Sequence, residues 1–328
     1  MMKKLFYFLP WCIFAVLLIL GVREASTISK FSKISLRYQN AISGQAAYRA
    51  REYSAVNAAF WLIFWRESTA TLSVGFGDVA SDTILFSGDA NLVWHAEYVA
   101  GYAPGAEDEA GIAVSQALAN RLWGSTNIIG QAVEIDEQTR FVRGVFVGGA
   151  NLALLSFPLE DVSQSWTGVE LYGEQLHFGA AEAFAAASGL GRPEYILTGE
   201  VISLAWAFAL LPLLVPAVYA LFLVIKYMRM YHPRTLMPLF FAGLLLFAVL
   251  LPALLDALPD WVVPTRWSDF SFWSSLAEQT GDSLRVFLSA VPTMRDVELK
   301  VRLLRVVGIG FLGVCLGLVG VGFRHRPN

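Results

Sequence analysis

His95 and Glu97 stand close enough in the chain to offer two ligands to one metal ion. A protein-held zinc takes three or four ligands at characteristic spacing, and no third one is placed near this pair. His177 stands alone between Leu176 and Phe178. Nucleophilic catalysis has no Gly-x-Ser-x-Gly elbow to use, and Ser115 is better explained as a helix cap. No Gly-x-x-x-x-Gly-Lys-Ser/Thr loop is present to cradle nucleotide phosphates. Cys12 and Cys315 both fall in apolar runs, so neither can staple a polar domain, and four-cysteine metal sites are excluded. The expectation is a chain that is not an enzyme by itself and takes no cofactor or metal.

The elements around these residues are dominated by four apolar stretches, Leu5–Val22, Val201–Ile225, Leu236–Leu255 and Leu303–Phe323. A bilayer core of about 30 Å takes about 20 apolar residues as helix. Helix is the spanning form expected, because lipid satisfies no exposed backbone N–H or C=O. Charged residues make up 16% of the 328 and the mean hydropathy is +0.53, which also fits a membrane protein. An ionisable residue in mid-span would mark an ion path, but Glu200 and Asp256 lie at span ends. The net charge of −3 gives no basic stripe for a nucleic acid. The fold class expected is an α-helical membrane protein with four transmembrane helices, one plus three, and an inserted α+β extracytoplasmic domain. The first stretch has the Met-Met-Lys-Lys start of a signal peptide, but its apolar run is long and Arg23-Glu24 offers no small-x-small cleavage site. It is read as a retained helix.

Orientation follows the Lys/Arg bias of short loops. Lys3 and Lys4 precede the first span, Lys226, Arg229 and Arg234 crowd the link after the second, and Arg324 and Arg326 follow the fourth. Four spans put these segments on one side, the cytoplasm. The organisation expected is a transmembrane helix over 1–23, an extracytoplasmic domain over 24–198, and helices two to four over 199–328. A cytoplasmic link covers 226–235 and an outer loop 256–302. This is a multi-pass protein of the plasma or inner membrane with both termini cytoplasmic. Arg295, Lys300, Arg302 and Arg305 crowd the outer end of the last span and resist this orientation.

Within the inserted domain, Thr27–Tyr53 lacks evident alternation and reads as helix leaving the membrane and then a second short helix. Ala58–Trp65, Ala70–Phe76, Thr83–Phe86 and Leu92–Trp94 read as strands, and Tyr102–Glu109 as a loop. The clearest segment follows. Ile112–Val114 is a short strand, Ser115 an N-cap, Gly124 a left-handed stop, and Ala132–Ile135 with Phe141–Phe146 a hairpin around Asp136–Gln138. Ala117, Leu118 and Leu122 share the helix's apolar face.

Here the chain resembles the periplasmic core domain of MacB-like and FtsX-like ABC transporter permeases. The residues that carry the resemblance are Ser115, Leu118, Ala119, Leu122, Trp123, Gly124, Ile129, Gly130, Val133, Val142, Gly144 and Val145. The one-plus-three order of spans resembles the type VII-like topology of the same family. Each motif residue is also explained by capping, turning or packing, so the motif marks a fold rather than a site.

The resemblance implies a separate ABC ATPase, a homodimer or a heterodimer with a second permease, and a bilayer as partners. It places Lys226, Tyr227, Met228, Arg229, Met230, Tyr231 and Arg234 where the family has its coupling helix, with Arg side chains suited to partner carboxylates. The plainer reading of these residues is a basic loop that anchors helix ends. Trp261, Trp267, Phe270, Phe272 and Trp273 in the outer loop read as an interfacial aromatic belt. ATP-driven motion would then pass to the outer domain through the first and second spans. The alternative is a membrane-anchored extracytoplasmic binding or sensor module without an ATPase.

Overall fold

Apolar residues at every second position fold the polar part of the chain into one mixed sheet. The computed structural model describes residues 2–31, 34–57, 60–75, 77–173, 178–197, 199–230, 245, 270–289 and 292–324. The chain divides into two compact units, Ser29–Gly199 with Ser289–Leu299, and Met1–Ile28 with Glu200–Leu288 and Lys300–Asn328.

The first unit is α+β. Its strands are β1 (Ile34–Ser43), β2 (Trp61–Val74), β3 (Gly77–Ser87), β4 (Tyr98–Gly101), β5 (Gly111–Ser115), β6 (Ala132–Ile135), β7 (Gln138–Phe146), β8 (Leu152–Ser156), β9 (Ser165–Tyr172) and β10 (Tyr195–Leu197). They pair in the order β10-β1-β9-β2-β3-β8-β5-β7-β4, with β6 on β2 and β7. The β3–β8 and β5–β7 pairs are parallel and the others antiparallel. Helices α2 (Gly44–Asn57) and α5 (Phe178–Ala187) cover one face of the sheet over Leu36, Phe64, Val169 and Leu171. On the same face α4 (Gln116–Trp123) covers Ile112, Val142, Val145 and Leu155. By alternation, Ile63, Trp65, Ile84, Phe86 and Leu154 point to the opposite face, where they pack with Val93 of α3 (Ala90–Val93) and with Met294.

Three local expectations are corrected. Residues 34–43 form a strand rather than helix, because Ile34, Leu36 and Tyr38 do alternate with Ser35 and Arg37; both sets are buried. The alternation is hidden by a polar face that meets protein instead of water. Residues 61–74 form one strand of 14 residues rather than two, since its polar middle, Arg66–Thr69, pairs without a break with Thr83–Leu85 and Asp82 of β3. Residues 90–93 are helical because Asp89 accepts the Asn91 N–H at 2.9 Å and starts a turn. The 102–109 loop, the 111–115 strand and the 132–146 hairpin stand where the sequence puts them. The hairpin turn has positive φ at both Asp136 and Glu137, the geometry that matches strand twist.

The second unit is helical: α1 (Met2–Ile28), α6 (Glu200–Leu210), α7 (Leu214–Met230), α8 (Phe270–Ser289) and α9 (Met294–Arg324), the last shared with the α+β unit through its first turn. A short 3₁₀ turn at Leu211–Leu213, holding Pro212, joins α6 to α7. Among the described residues three helices are long and apolar enough to cross a membrane: Leu9–Ile28, Val201–Lys226 and Met294–Val321. The count of four is not reached, because the stretch Leu236–Leu255 lies, apart from Leu245, outside the described residues. Close backbone approach holds this unit together. A Cβ at Gly310 would stand 2.4 Å from the Phe208 carbonyl oxygen, and one at Gly21 would touch Ile309 and Ala209. Arg302 pairs with Glu24 at 3.4 Å, tying α9 to α1.

Candidate functional site

Strand alternation places Ser35 and Arg37 of β1, Gly168 and Glu170 of β9, and Trp65 and Glu67 of β2 on one face of the sheet. The register sets Arg37 beside Gly168 and Gly168 beside Trp65. Without a side chain between them, the Arg37 guanidinium lies over the Trp65 ring, 4.3 Å from its centroid. Two residues along β9, Glu170 is wholly buried. Its Oε1 accepts from Ser35 Oγ and Trp65 Nε1, both at 2.7 Å, and from Arg295 Nη1 at 2.5 Å. Arg37 Nη1 lies 3.9 Å from the same oxygen.

Arg295 and Asp296 come from the first turn of α9, within the part of that helix that belongs to the α+β unit. Thr293 and Asp296 form a capping box: Thr293 Oγ1 accepts the Asp296 N–H at 3.2 Å, and Asp296 Oδ2 accepts the Thr293 N–H at 3.4 Å. Asp296 Oδ1 accepts from Arg37 Nη2 at 2.9 Å. The Arg295 N–H donates to Glu67 Oε1 at 3.3 Å, and the Arg295 guanidinium lies 5.5 Å from the Phe31 ring centroid. Burial pushes the Glu67 carboxyl above its ordinary value, opposed by the Met294 and Arg295 N–H groups and by Arg37. Two arginines and two carboxylates, each about 3% exposed or less, thus form a neutral buried array. Its chemistry is positional: the array orients a helix end on a sheet.

A second clamp holds the 102–109 loop. Arg143 Nε donates to Asp108 Oδ2 at 2.7 Å, and this partner pushes the Arg143 pKa up. Buried Arg140 donates to the carbonyls of Glu109 and Ser156 and stacks on Phe157, its pKa pushed down by burial.

The residues singled out in the sequence are placed as follows. Ser115 caps α4: its Oγ accepts from the Leu118 N–H at 3.2 Å and the Leu152 N–H at 3.3 Å, and donates to the Ala150 carbonyl at 2.6 Å. Leu118, Ala119, Leu122, Val133, Val142 and Val145 are buried in one core, with Trp123 packed against it. Ala117 is not fully buried; Ala119 takes its place on the inner face. Gly124 stops the helix at φ 68°, and Gly130 at φ 82° donates its N–H to the Val142 carbonyl. Ile129 is largely exposed. Gly144 passes so near the loop that a Cβ would stand 2.4 Å from the Tyr102 carbonyl oxygen.

Lys226 is exposed near the end of α7, and Tyr227, Met228, Arg229 and Met230 complete that helix. Tyr231 and Arg234 lie outside the described residues, as do His177, Trp261 and Trp267; Phe270, Phe272 and Trp273 fall in α8. His95 Nε2 stands 3.2 Å from Lys30 Nζ. Among the described residues no group of three His, Cys, Asp or Glu side chains could hold a metal ion. Arg295, read as an outer flanking charge, is instead buried in the ionic array. The array itself escaped the sequence reading, although Thr293-x-x-Asp296 before an apolar run is a capping-box signature.

No family model matches the chain, and no curated protein matches it significantly. Among solved structures, the extracellular domain of the noncanonic ABC-type transporter YknZ from Gram-positive bacteria matches 50% of this chain and 97% of its own length, at 14% identity and a TM-score of 0.40. The periplasmic region of MacB from Actinobacillus actinomycetemcomitans matches 52% of this chain and 89% of its own, at 10% identity and a TM-score of 0.42. A domain of a protein described as a permease from Porphyromonas gingivalis matches 50% and 85%, at 14% identity and a TM-score of 0.36.

Proposed function

We infer that this chain is the permease subunit of an ABC-type complex of the MacB-like and FtsX-like kind, set in the plasma or inner membrane. One observation carries the reading. The motif residues Ser115 to Val145 fold as one strand, capped helix, glycine stop and hairpin, in a unit inserted between one membrane-length helix and the rest of the helical unit. The finer reading has four membrane helices, with the third at Leu236–Leu255, both termini cytoplasmic and residues 24–198 outside. ATP hydrolysis takes place on a separate nucleotide-binding subunit, and two permeases pair above two such subunits. The ATPase docks on the 226–235 link through Lys226, Tyr227, Met228, Arg229, Met230, Tyr231 and Arg234. The outer α+β unit is moved by ATP-driven tilting of the helices, in efflux or envelope-related transport.

The test is reconstitution of the full chain with the ATPase that co-purifies with it. Arg229→Glu with Tyr227→Ala should abolish pairing and permease-dependent ATPase activity while the chain still inserts. Intact pairing and activity in that variant would overturn the docking surface. Repeated purification without any P-loop ATPase would favour the sensor module instead.

A further inference from the structure

The α+β unit is built from two pieces of chain that are far apart in sequence. Residues 29–199 supply its sheet and its helices, and residues 289–299 join it after the chain has run through 200–288 of the helical unit. The second piece is short, yet it meets the sheet through charge, backbone and apolar contacts together. Arg295, Asp296 and Leu299 are buried, while Val297 between them is exposed. Met294 packs against the cluster of Ile63, Trp65, Ile84 and Phe86. Arg295 bonds Glu170 of β9, Asp296 bonds Arg37 of β1, and the Arg295 N–H bonds Glu67 of β2.

The face that receives this piece is laid out by residues 29–199 alone. Ser35, Arg37, Trp65, Glu67, Gly168 and Glu170 share it by strand alternation, and Ser35 and Trp65 aim their donors at Glu170 Oε1. The charges match in position as well as in sign. An arginine of the piece meets a glutamate, an aspartate meets an arginine, and the positive end of a helix start meets a second carboxyl group. Leaving the face empty is unfavourable, because a buried ion that loses its partner costs far more than the pair contributes. Arg37 would lose the carboxylate 2.9 Å away, and Glu170 would lose its Arg295 bond. A chain made from its N-terminus nevertheless holds β1, β2 and β9 well before residues 292–299 exist.

We propose that this sheet face is a docking site for the chain's own segment 292–299, a helix start bearing Arg295 and Asp296, and that the α+β unit reaches its native order only when that segment arrives on the same side of the membrane. Docking then acts as a check on insertion of the apolar helices in between. Residues 199 and 289 must lie on one side, so the chain crosses the membrane an even number of times between them. Val201–Lys226 accounts for one crossing, and Leu236–Leu255 is the apolar stretch that would bring the chain back. None of this rests on the permease reading, and the two can fail separately.

The first test uses the full chain in cells. With Cys12 and Cys315 replaced by serine, single cysteines are placed at the exposed positions Val56→Cys and Val297→Cys. A membrane-impermeant maleimide should label the two alike, in intact cells or only after permeabilisation. Unlike behaviour would overturn the proposal. The second test uses the full chain in lipid nanodiscs. Arg295→Met leaves residues 29–199 unaltered, yet amide hydrogen exchange should speed up by about tenfold or more at 34–37, 61–67 and 168–171, with β5 and α4 unchanged. Adding Glu170→Gln removes the charge left behind, keeps an acceptor for Ser35 and Trp65, and should restore most of that protection. Unchanged exchange in the sheet, equal loosening of β5 and α4, or no recovery in the double variant would each overturn the docking site. If Arg295→Met does not accumulate, Met294→Ala removes packing without touching a charge. It should loosen 61–67 about threefold with β5 and α4 unchanged, and uniform or absent loosening there overturns the proposal too.

Discussion

Asp296 Oδ1 accepts a hydrogen bond from Arg37 Nη2 at 2.9 Å, joining side chains 259 positions apart in the sequence. Both groups are buried, and the other Asp296 oxygen closes the capping box on Thr293. One carboxylate thus serves local and long-range structure together. Its place in the first helical turn also sets negative charge at the positive end of the α9 dipole.

Removing that carboxylate should therefore cost more than a cap. Asp296→Ala leaves Arg37 buried without its nearest counter-charge, and breaking a buried pair in this way costs about 3–5 kcal/mol. Asp296→Asn keeps one oxygen to accept from Arg37 and leaves the Thr293 Oγ1 cap of the backbone N–H in place, losing only the return bond from the Thr293 N–H, and should lose less than half of that. Denaturant unfolding of the full chain in micelles, followed by tryptophan fluorescence, measures both. Equal losses in the two variants would show that the tie to Arg37 contributes nothing.

Gly168 is the gap that lets Arg37 reach Trp65. A Cβ there would stand 2.4 Å from Trp65 Cε2, part of a rigid indole that also donates to Glu170. Gly168→Ala should destabilise the chain by about 1–3 kcal/mol through overpacking, and should shift the Trp65 environment. Gly75→Ala, where nothing lies within 4 Å, is the control and should leave the unfolding midpoint in place. A Gly168 variant as stable as the Gly75 variant would contradict the packing of the array.

The capped helix and hairpin were legible because each residue there obeys a local rule: a hydroxyl at a cap, a glycine at positive φ, apolar positions at helical or strand period. The array was not legible, because its four charges come from β1, β9 and α9 and are neutralised only by long-range pairing. The buried polar face of Ser35 and Arg37 hid the strand alternation of 34–43, and Arg295 looked like a charge beside a membrane. In both cases a buried partner, invisible in sequence, reversed the reading. The tight Gly144 approach to the Tyr102 carbonyl was equally out of reach, since it depends on how β4 lies against β7.

Ser115 tests the motif by itself. Its hydroxyl joins the start of α4 to the Ala150 carbonyl and the Leu152 N–H, so Ser115→Ala loses a cap and leaves buried polar groups unpaired. A loss of about 2 kcal/mol is expected, with faster hydrogen exchange over α4 and the start of β8. A loss confined to α4 would mean that the bonds to residues 150–152 hold nothing.

Glu67 gives the fold a pH dependence of definite sign. Burial raises its pKa in the folded chain above the unfolded value, so the folded state holds this proton more tightly. Below the unfolded pKa both states are protonated and the group is neutral to stability. As pH rises from the unfolded towards the folded pKa, the unfolded chain ionises first and stability falls; above the folded pKa the penalty is constant. Glu67→Gln keeps an acceptor for the Arg295 N–H and removes the titration. The variant should be more stable than the native chain at pH 7, and its advantage should fade below about pH 4. Unfolding midpoints of the two chains compared at both pH values isolate this group from the other carboxylates. An advantage that grows on acidification would mean that Glu67 is held ionised by Arg37 and the helix N–H groups, with its pKa lowered rather than raised.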